Sequence, residues 1–240
     1  MRSAMRIGIY GGSFNPVHCG HLRAALEAAE ALGLDRTDFV PAARPPHKSG
    51  RGMLGFAARV RLLRAAVADV PGLAVNALEA DRPGPSYTCD TLARYREDNP
   101  GAGLFFIRGA VDLLGLHTGR RGADIPRLAH LAVLCREGLG VDEIRAYLAR
   151  DGAGFSASPR PAAPGMAASA AGDVPGGQGV SCLEIPPLDI SATRLRRRFV
   201  SGRSIRFLVP DAVWRELSVM RDEARLAWGA GVDDTATPAV

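Results

Sequence analysis

Apolar residues along the chain fall into short β-prone runs separated by stretches with helical spacing. Arg6-Ile7-Gly8-Ile9-Tyr10 is the first run, and it ends at Gly11-Gly12. A loop from Ser13 to Val17 follows. From about His18 to Leu32 the positions Leu22, Leu26, Ala29 and Leu32 repeat along one face, and Gly33 stops the helix they predict. Phe39-Val40-Pro41 reads as a second strand. The alternation continues with a helix over about 53–69, a strand near 73–77, a helix over 88–97 and a strand over 103–108. A helix from about 110, a strand over 130–135 and a helix over 141–150 come next. Strands separated by helices predict an α/β, Rossmann-like fold, a parallel sheet with helices on both faces.

Residues 151–180 break the pattern. They are Ala, Gly, Pro and Ser with almost no large apolar side chain, the composition of a flexible insert. Structure resumes at Cys182-Leu183-Glu184-Ile185, a last strand, followed by a small C-terminal helical part over about 191–201 and 210–220. The reading is one domain over 5–222 carrying that insert, with a frayed tail over 223–240. Met5 is an alternative start, which would make residues 1–4 a dispensable extension.

Composition narrows the class. With 47% hydrophobic and 23% charged residues, 240 residues make a globular chain that can bury a core without staples. The four cysteines form no CxxC pair, so a reduced, cytoplasmic setting is expected. No run of 18 apolar residues suggests a membrane span, and Arg6 interrupts any secretory apolar region. The net charge of +5 points to an anionic ligand. The arginines are spread along the chain rather than concentrated on one tail, so no nucleic-acid partner is expected. Of 30 basic residues 29 are Arg, and the single lysine is Lys48.

The most informative segment is Gly11-Gly12-Ser13-Phe14-Asn15-Pro16-Val17-His18-Cys19-Gly20-His21. It joins the carboxyl end of a parallel strand to a helix, where open α/β sheets bind ligands. The glycines admit a phosphate to the backbone, and a helix N-terminus favours an anion. Neither a Walker loop nor GxGxxG is present. His18 and His21 share one face of the first helical turn, and Gly20 leaves room for a ligand between them. Two imidazoles aimed at one point suit a phosphate that gains charge during reaction. Half of a zinc site, or a pair of satisfied structural histidines, is the other reading of such a pair.

Two further segments carry charge. Lys48 follows Pro45-Pro46-His47, and a lysine on a stiffened loop gives a compact cation that can follow a moving phosphate. Ser191 reads as the N-cap of a helix on which Thr193 and Arg196 share a face, a polyphosphate clamp. Arg194, Arg197 and Arg198 read as a solvated face, and His117 and His130 as structural.

The His pair resembles the HxGH motif of the nucleotidyltransferase superfamily. The string GGSFNPVHCGHL is similar to that of the bacterial nicotinate-nucleotide adenylyltransferases. Pro45-Pro46-His47-Lys48 resembles that family's PPHK, and Ser86-Tyr87-Thr88-Cys89-Asp90-Thr91-Leu92 its SYTxDTL. Phe106-Ile107-Arg108-Gly109-Ala110-Val111-Asp112 resembles FIxGAD with one extra residue. Ile190 to Arg196 resembles ISxTxxR, and Leu208 to Val213 resembles LVPxxV.

The resemblance implies adenylyl transfer from ATP to nicotinate mononucleotide, an enzyme of NAD biosynthesis. His18 and His21 would be catalytic. Gly11, Gly12, Ser13, Phe14, Gly20, Lys48, Gly109, Asp112, Ser191, Thr193 and Arg196 would bind ATP and its phosphates. Tyr87 and Thr88 would face the mononucleotide. Mg²⁺ would enter with ATP, held through substrate oxygens and water rather than by a dedicated protein site. Two departures stand out. Asn15 replaces the more usual Asp. The family's ring-stacking Trp is missing after Asp112, where an Arg or His117 could stack instead. The choice between nicotinate and nicotinamide, and the oligomeric state, stay open. A nicotinamide or phosphopantetheine adenylyltransferase, or a non-catalytic nucleotide- or RNA-binding protein, is the alternative. A class I aminoacyl-tRNA synthetase fragment would need a KMSKS-type loop, which a chain with one lysine lacks.

Overall fold

The computed structural model describes residues 4–45, 51–113, 120–135, 143–144, 146–147 and 179–230. Six strands form one all-parallel sheet: β1 (Arg6–Gly12), β2 (Arg36–Pro41), β3 (Leu73–Val75), β4 (Gly103–Gly109), β5 (His130–Cys135) and β6 (Val180–Glu184). Their order is β3-β2-β1-β4-β5-β6. The helices are α1 (Cys19–Leu32), α2 (Phe56–Val67), α3 (Thr88–Asp98), the short α4 (Ala110–Leu113) and α5 (Ile125–Leu128), then α6 (Ala192–Val200), α7 (Asp211–Val219) and α8 (Arg221–Gly229). The expected α/β architecture is the observed one. Each parallel strand needs a crossover, and the helical spacing in the sequence supplies it.

The sheet is buried on both faces, so its strands read as near-continuous apolar runs. Along β1, Tyr10 faces one core with α1, α2 and the C-terminal helices, while Ile7 and Ile9 face a second core with α3 and α5. Three small residues, Ala24, Ala25 and Ala28, let α1 lie close to the sheet. Gly33 ends that helix in the left-handed region at φ 57°, where a Cβ would be strained. No helix among the described residues is long and apolar enough to cross a membrane.

One expectation fails. The tail was expected to fray from 223, but α8 continues to Gly229 and buries Ala224 and Trp228 completely. The Trp228 ring meets Phe199 of α6 edge-on at 5.1 Å. A lone aromatic near a polar terminus gives no periodic signal, yet its burial holds the helix down. Of the insert expected over 151–180, residues 151–178 lie outside the described residues, while Val180 already opens β6 and is buried; the tail over 231–240 also lies outside them. So does most of the helix expected over 141–150, of which Ile144 and Tyr147 are buried.

Candidate active site

The strand order reverses between β1 and β4, because the chain winds outward to β3 and then returns to build β4, β5 and β6 on the other side. Helices diverge to opposite faces at such a switch point and leave a crevice at the carboxyl ends of the strands. A cavity of about 310 Å³ lies there. Tyr10 and Gly11 reach it from β1, Arg108 and Gly109 from β4, and Leu134 from β5. His18 and His21 form its wall at the start of α1, with Asp112 from α4.

His18 is the extended N-cap of α1 and only 4% exposed. His21 stands one turn on, and the two rings stack with centroids 3.7 Å apart at 27°. The His18 backbone N–H donates to His21 Nδ1 at 3.3 Å. That bond occupies the Nδ1 lone pair, so a neutral His21 carries its proton on Nε2. Phe14 packs edge-on against the same ring at 5.1 Å. The space a Cβ would fill at Gly20 is taken by the His18 ring, whose Nδ1 would lie at 3.1 Å. The missing side chain therefore seats the His18 imidazole.

The preceding loop is tied from three directions. Phe14 takes a positive φ of 44° and is 2% exposed. Its ring fills the space beside Gly12, where a Cβ would meet it at 2.9 Å. Side chain 14 is thus core packing, and only its backbone can face a ligand. Asn15, 5% exposed, is a junction. Its Nδ2 donates to the Gly52 carbonyl at 2.8 Å, and its Oδ1 accepts from Leu54 N–H at 3.1 Å and from Trp228 Nε1–H at 2.9 Å. A carboxylate would turn the donor facing Gly52 into a repelled acceptor, which gives Asn15 a physical reason. Trp228, near the C-terminal end of the described residues, reaches this loop across the fold. Trp228→Phe should lower the unfolding free energy by about 0.5–1.5 kcal/mol, since Asn15 Oδ1 loses one of its two donors and keeps Leu54 N–H. A urea titration checks it.

Arg59 of α2 is 1% exposed and donates to three carbonyls: Leu54 at 3.1 Å, Ser13 at 2.8 Å and Ala42 at 2.9 Å. Burial pulls its guanidinium down to about 10, while the Glu79 carboxylate pushes the other way. Arg59 stays cationic at neutral pH and pins the loops after β1 and β2 together. Glu79 holds the second loop too, accepting from Ala43 N–H at 3.2 Å and from the Thr91 hydroxyl at 2.6 Å.

Arg196 lies on α6 and reaches the same junction. It donates to the Asn15 carbonyl at 2.9 Å and to Thr193 Oγ1 at 3.1 Å. Burial, and then the neighbouring Arg197 charge, lower its pKa. Ser191 is the N-cap of α6 and its side chain makes no capping bond. Leu195 and Phe199, one turn apart, face inward. Arg194 pairs with Asp189 at the surface.

Tyr87 and Thr88 open α3 and do not line the cavity. The Arg120 guanidinium lies 4.7 Å over the Tyr87 ring, so an Arg plane does stack on this side, against protein. His130 bonds Ser181 Oγ at 2.8 Å. His47, Lys48 and His117 lie outside the described residues.

The cavity therefore gathers His18, His21, Gly11, Gly109 and Asp112, with Arg196 and Thr193 joined to its entry loop. Sequence reasoning missed Arg59, Glu79, Arg108 and Trp228. Arg59 had a signal: it precedes Leu62, Leu63 and Ala66 by helical intervals, an arginine on an apolar face. Arg108 had one as well, closing the buried run Leu104-Phe105-Phe106-Ile107 at a strand's carboxyl end.

The model of the cytidylyltransferase-like family matches residues 9–198. A Thermus thermophilus protein named "probable nicotinate-nucleotide adenylyltransferase" is 41% identical over 209 residues, 87% of this chain and 94% of that protein. One from Pelobacter propionicus with the same name is 40% identical over 210 residues, again 87% and 94%. Solved structures of the Plasmodium falciparum nicotinic acid mononucleotide adenylyltransferase, complexed with NaAD and with APC, align with TM-scores of 0.68 and 0.66. Their identities are 14% and 13%, and they cover 91% of this chain and 97% of theirs. The chain belongs to the cytidylyltransferase-like family and, within it, to the nicotinate-nucleotide adenylyltransferases.

Proposed function

We propose that this chain transfers the adenylyl group of ATP to nicotinate mononucleotide, forming nicotinate adenine dinucleotide and pyrophosphate. The observation that carries the reading is the stacked His18–His21 pair on the wall of the switch-point cavity. The names of the relatives supply the substrate.

An oxygen of the mononucleotide 5′-phosphate bonds to the α-phosphorus as the bond to the bridging β-oxygen breaks. Pyrophosphate leaves with the electron pair. No side chain is covalently modified, so catalysis is positioning and charge stabilisation. His18 and His21 donate to the α-phosphate as its charge grows. Gly11, Gly12, Ser13, Phe14 and Gly20 give it backbone to lie against. Arg196, with Thr193 and Ser191, holds the departing pyrophosphate, and the motif adds Lys48 to that set. Gly109 and Asp112 serve the nucleotide ribose, Tyr87 and Thr88 the mononucleotide.

Among the described residues no cluster of three or more His, Cys, Asp or Glu could hold a metal, and Asp112 is the cavity's one carboxylate. Mg²⁺ carried on the substrate's phosphates would neutralise their charge, with Asp112 as a cavity carboxylate within the same site.

Pyrophosphate release with ATP–Mg²⁺ and each of nicotinate mononucleotide, nicotinamide mononucleotide and phosphopantetheine tests the reading. Turnover should be fastest with nicotinate mononucleotide and absent with phosphopantetheine. Turnover with none of them would remove the reaction assignment.

A further inference from the structure

Arg108 belongs to none of the groups assigned so far, yet it lines the cavity. It sits next to last on β4, after four apolar residues. Its Nε is buried and has no hydrogen-bond partner, and no ion pair among the described residues engages it. Asp112 lines the same cavity without pairing to it. What the guanidinium does have is the ring of Phe106, with Cζ 5.7 Å from the centroid. A buried N–H left without an acceptor is costly, and more so when it belongs to a cation. A half-buried cation on the wall of a cavity, with its Nε left without an acceptor, is a seat for an oxyanion.

The strand fixes which side it serves. Residues two apart on β4 share a face. Phe106 packs in the core with Cys89, Leu92 and Tyr95 of α3, and Tyr87 packs against that core. Arg108 therefore projects toward the α3 side of the sheet. The histidine pair packs with Tyr10 and Phe14, which belong to the core on the other side. The cavity thus runs from an α-phosphate station at the histidines to a fixed cation on the face where α3 begins.

We infer that Arg108 binds an oxyanion of the mononucleotide substrate, its 5′-phosphate or its ring carboxylate, and so sets mononucleotide affinity. The inference rests on the proposed reaction. A guanidinium suits either group, because its planar fork matches two oxygens at once.

The experiment compares wild type, Arg108→Leu and Arg108→Lys, each checked by thermal melt. KM and kcat are measured for nicotinate mononucleotide, nicotinamide mononucleotide and ATP, and nicotinate mononucleotide binding without ATP is measured by calorimetry. In Arg108→Leu the KM for nicotinate mononucleotide should rise about ten- to a hundred-fold, with the KM for ATP nearly unchanged. Arg108→Lys, which keeps the charge and loses the fork, should fall between. An equal rise for both mononucleotides identifies the phosphate as the partner, and a rise confined to nicotinate identifies the carboxylate. Unchanged mononucleotide KM and binding, or a rise only in the KM for ATP, would overturn the assignment of Arg108 alone. A wild-type protein that neither bound nor adenylylated nicotinate mononucleotide would overturn the reaction and this inference together. If Arg108→Leu does not fold, Arg108→Lys decides on the same readouts.

Discussion

His21→Ala is expected to lower turnover by about a hundred- to a thousand-fold, the usual cost of removing one donor aimed at transition-state charge. The reason lies in the local geometry. The His18 backbone N–H occupies Nδ1 of His21, which leaves Nε2–H as the neutral ring's donor on a residue that lines the cavity. The ring is also sandwiched, stacked on His18 at 3.7 Å and met edge-on by Phe14, so little reorganisation accompanies reaction. Deleting it also removes the acceptor for the His18 N–H, a capping loss of about 1 kcal/mol. Steady-state pyrophosphate release with a parallel urea melt separates the two effects. A variant with near-normal turnover would remove the histidine pair from the mechanism. A large stability loss with proportional activity loss would make the pair structural.

Arg196→Ala should have the second largest effect, a fall in kcat/KM for ATP of about a hundred-fold or more. Its guanidinium is held by the Asn15 carbonyl on one nitrogen and Thr193 Oγ1 on another, so its orientation is set before substrate arrives. Burial and the Arg197 charge both disfavour the cation, and an incoming polyphosphate relieves that penalty. Arg196→Lys should recover only part of the loss, because an ammonium cannot keep both anchoring bonds and still face a phosphate. The effect should be larger for ATP than for the mononucleotide, measured by varying each substrate at saturation of the other. Equal KM values for ATP in wild type and variant would sink the clamp.

The alternation of strands and helices was legible because each element obeys its own local period. Five of the six strands were placed within a few residues, and β2 is longer than expected, starting at Arg36. The histidine pair was legible because both residues lie in one helical turn, where spacing alone sets proximity. The same holds for Thr193 with Arg196. Trp228 with Asn15 is the opposite case. They are 213 residues apart in sequence, and no periodicity links a tryptophan in a polar helix to an amide in a glycine-rich loop. Arg59 was hidden similarly, since three carbonyls from separate loops are what make a buried arginine tolerable.

Local chemistry therefore determined the class of fold, the strand–loop–helix that carries His18 and His21, and the kind of ligand proposed for them. Backbone propensity, side-chain period and capping all act within a few residues, and a sequence displays them directly. The tertiary structure decided the rest. It set the switch point between β1 and β4, the packing of rings into the space beside Gly12 and Gly20, and the fastening of α8 onto the loop after β1. It also left Arg108 half-buried beside the cavity, with its Nε lacking an acceptor. These depend on contacts between segments far apart in the chain. Their energies come from burial and hydrogen-bond satisfaction, which exist only once the sheet has assembled.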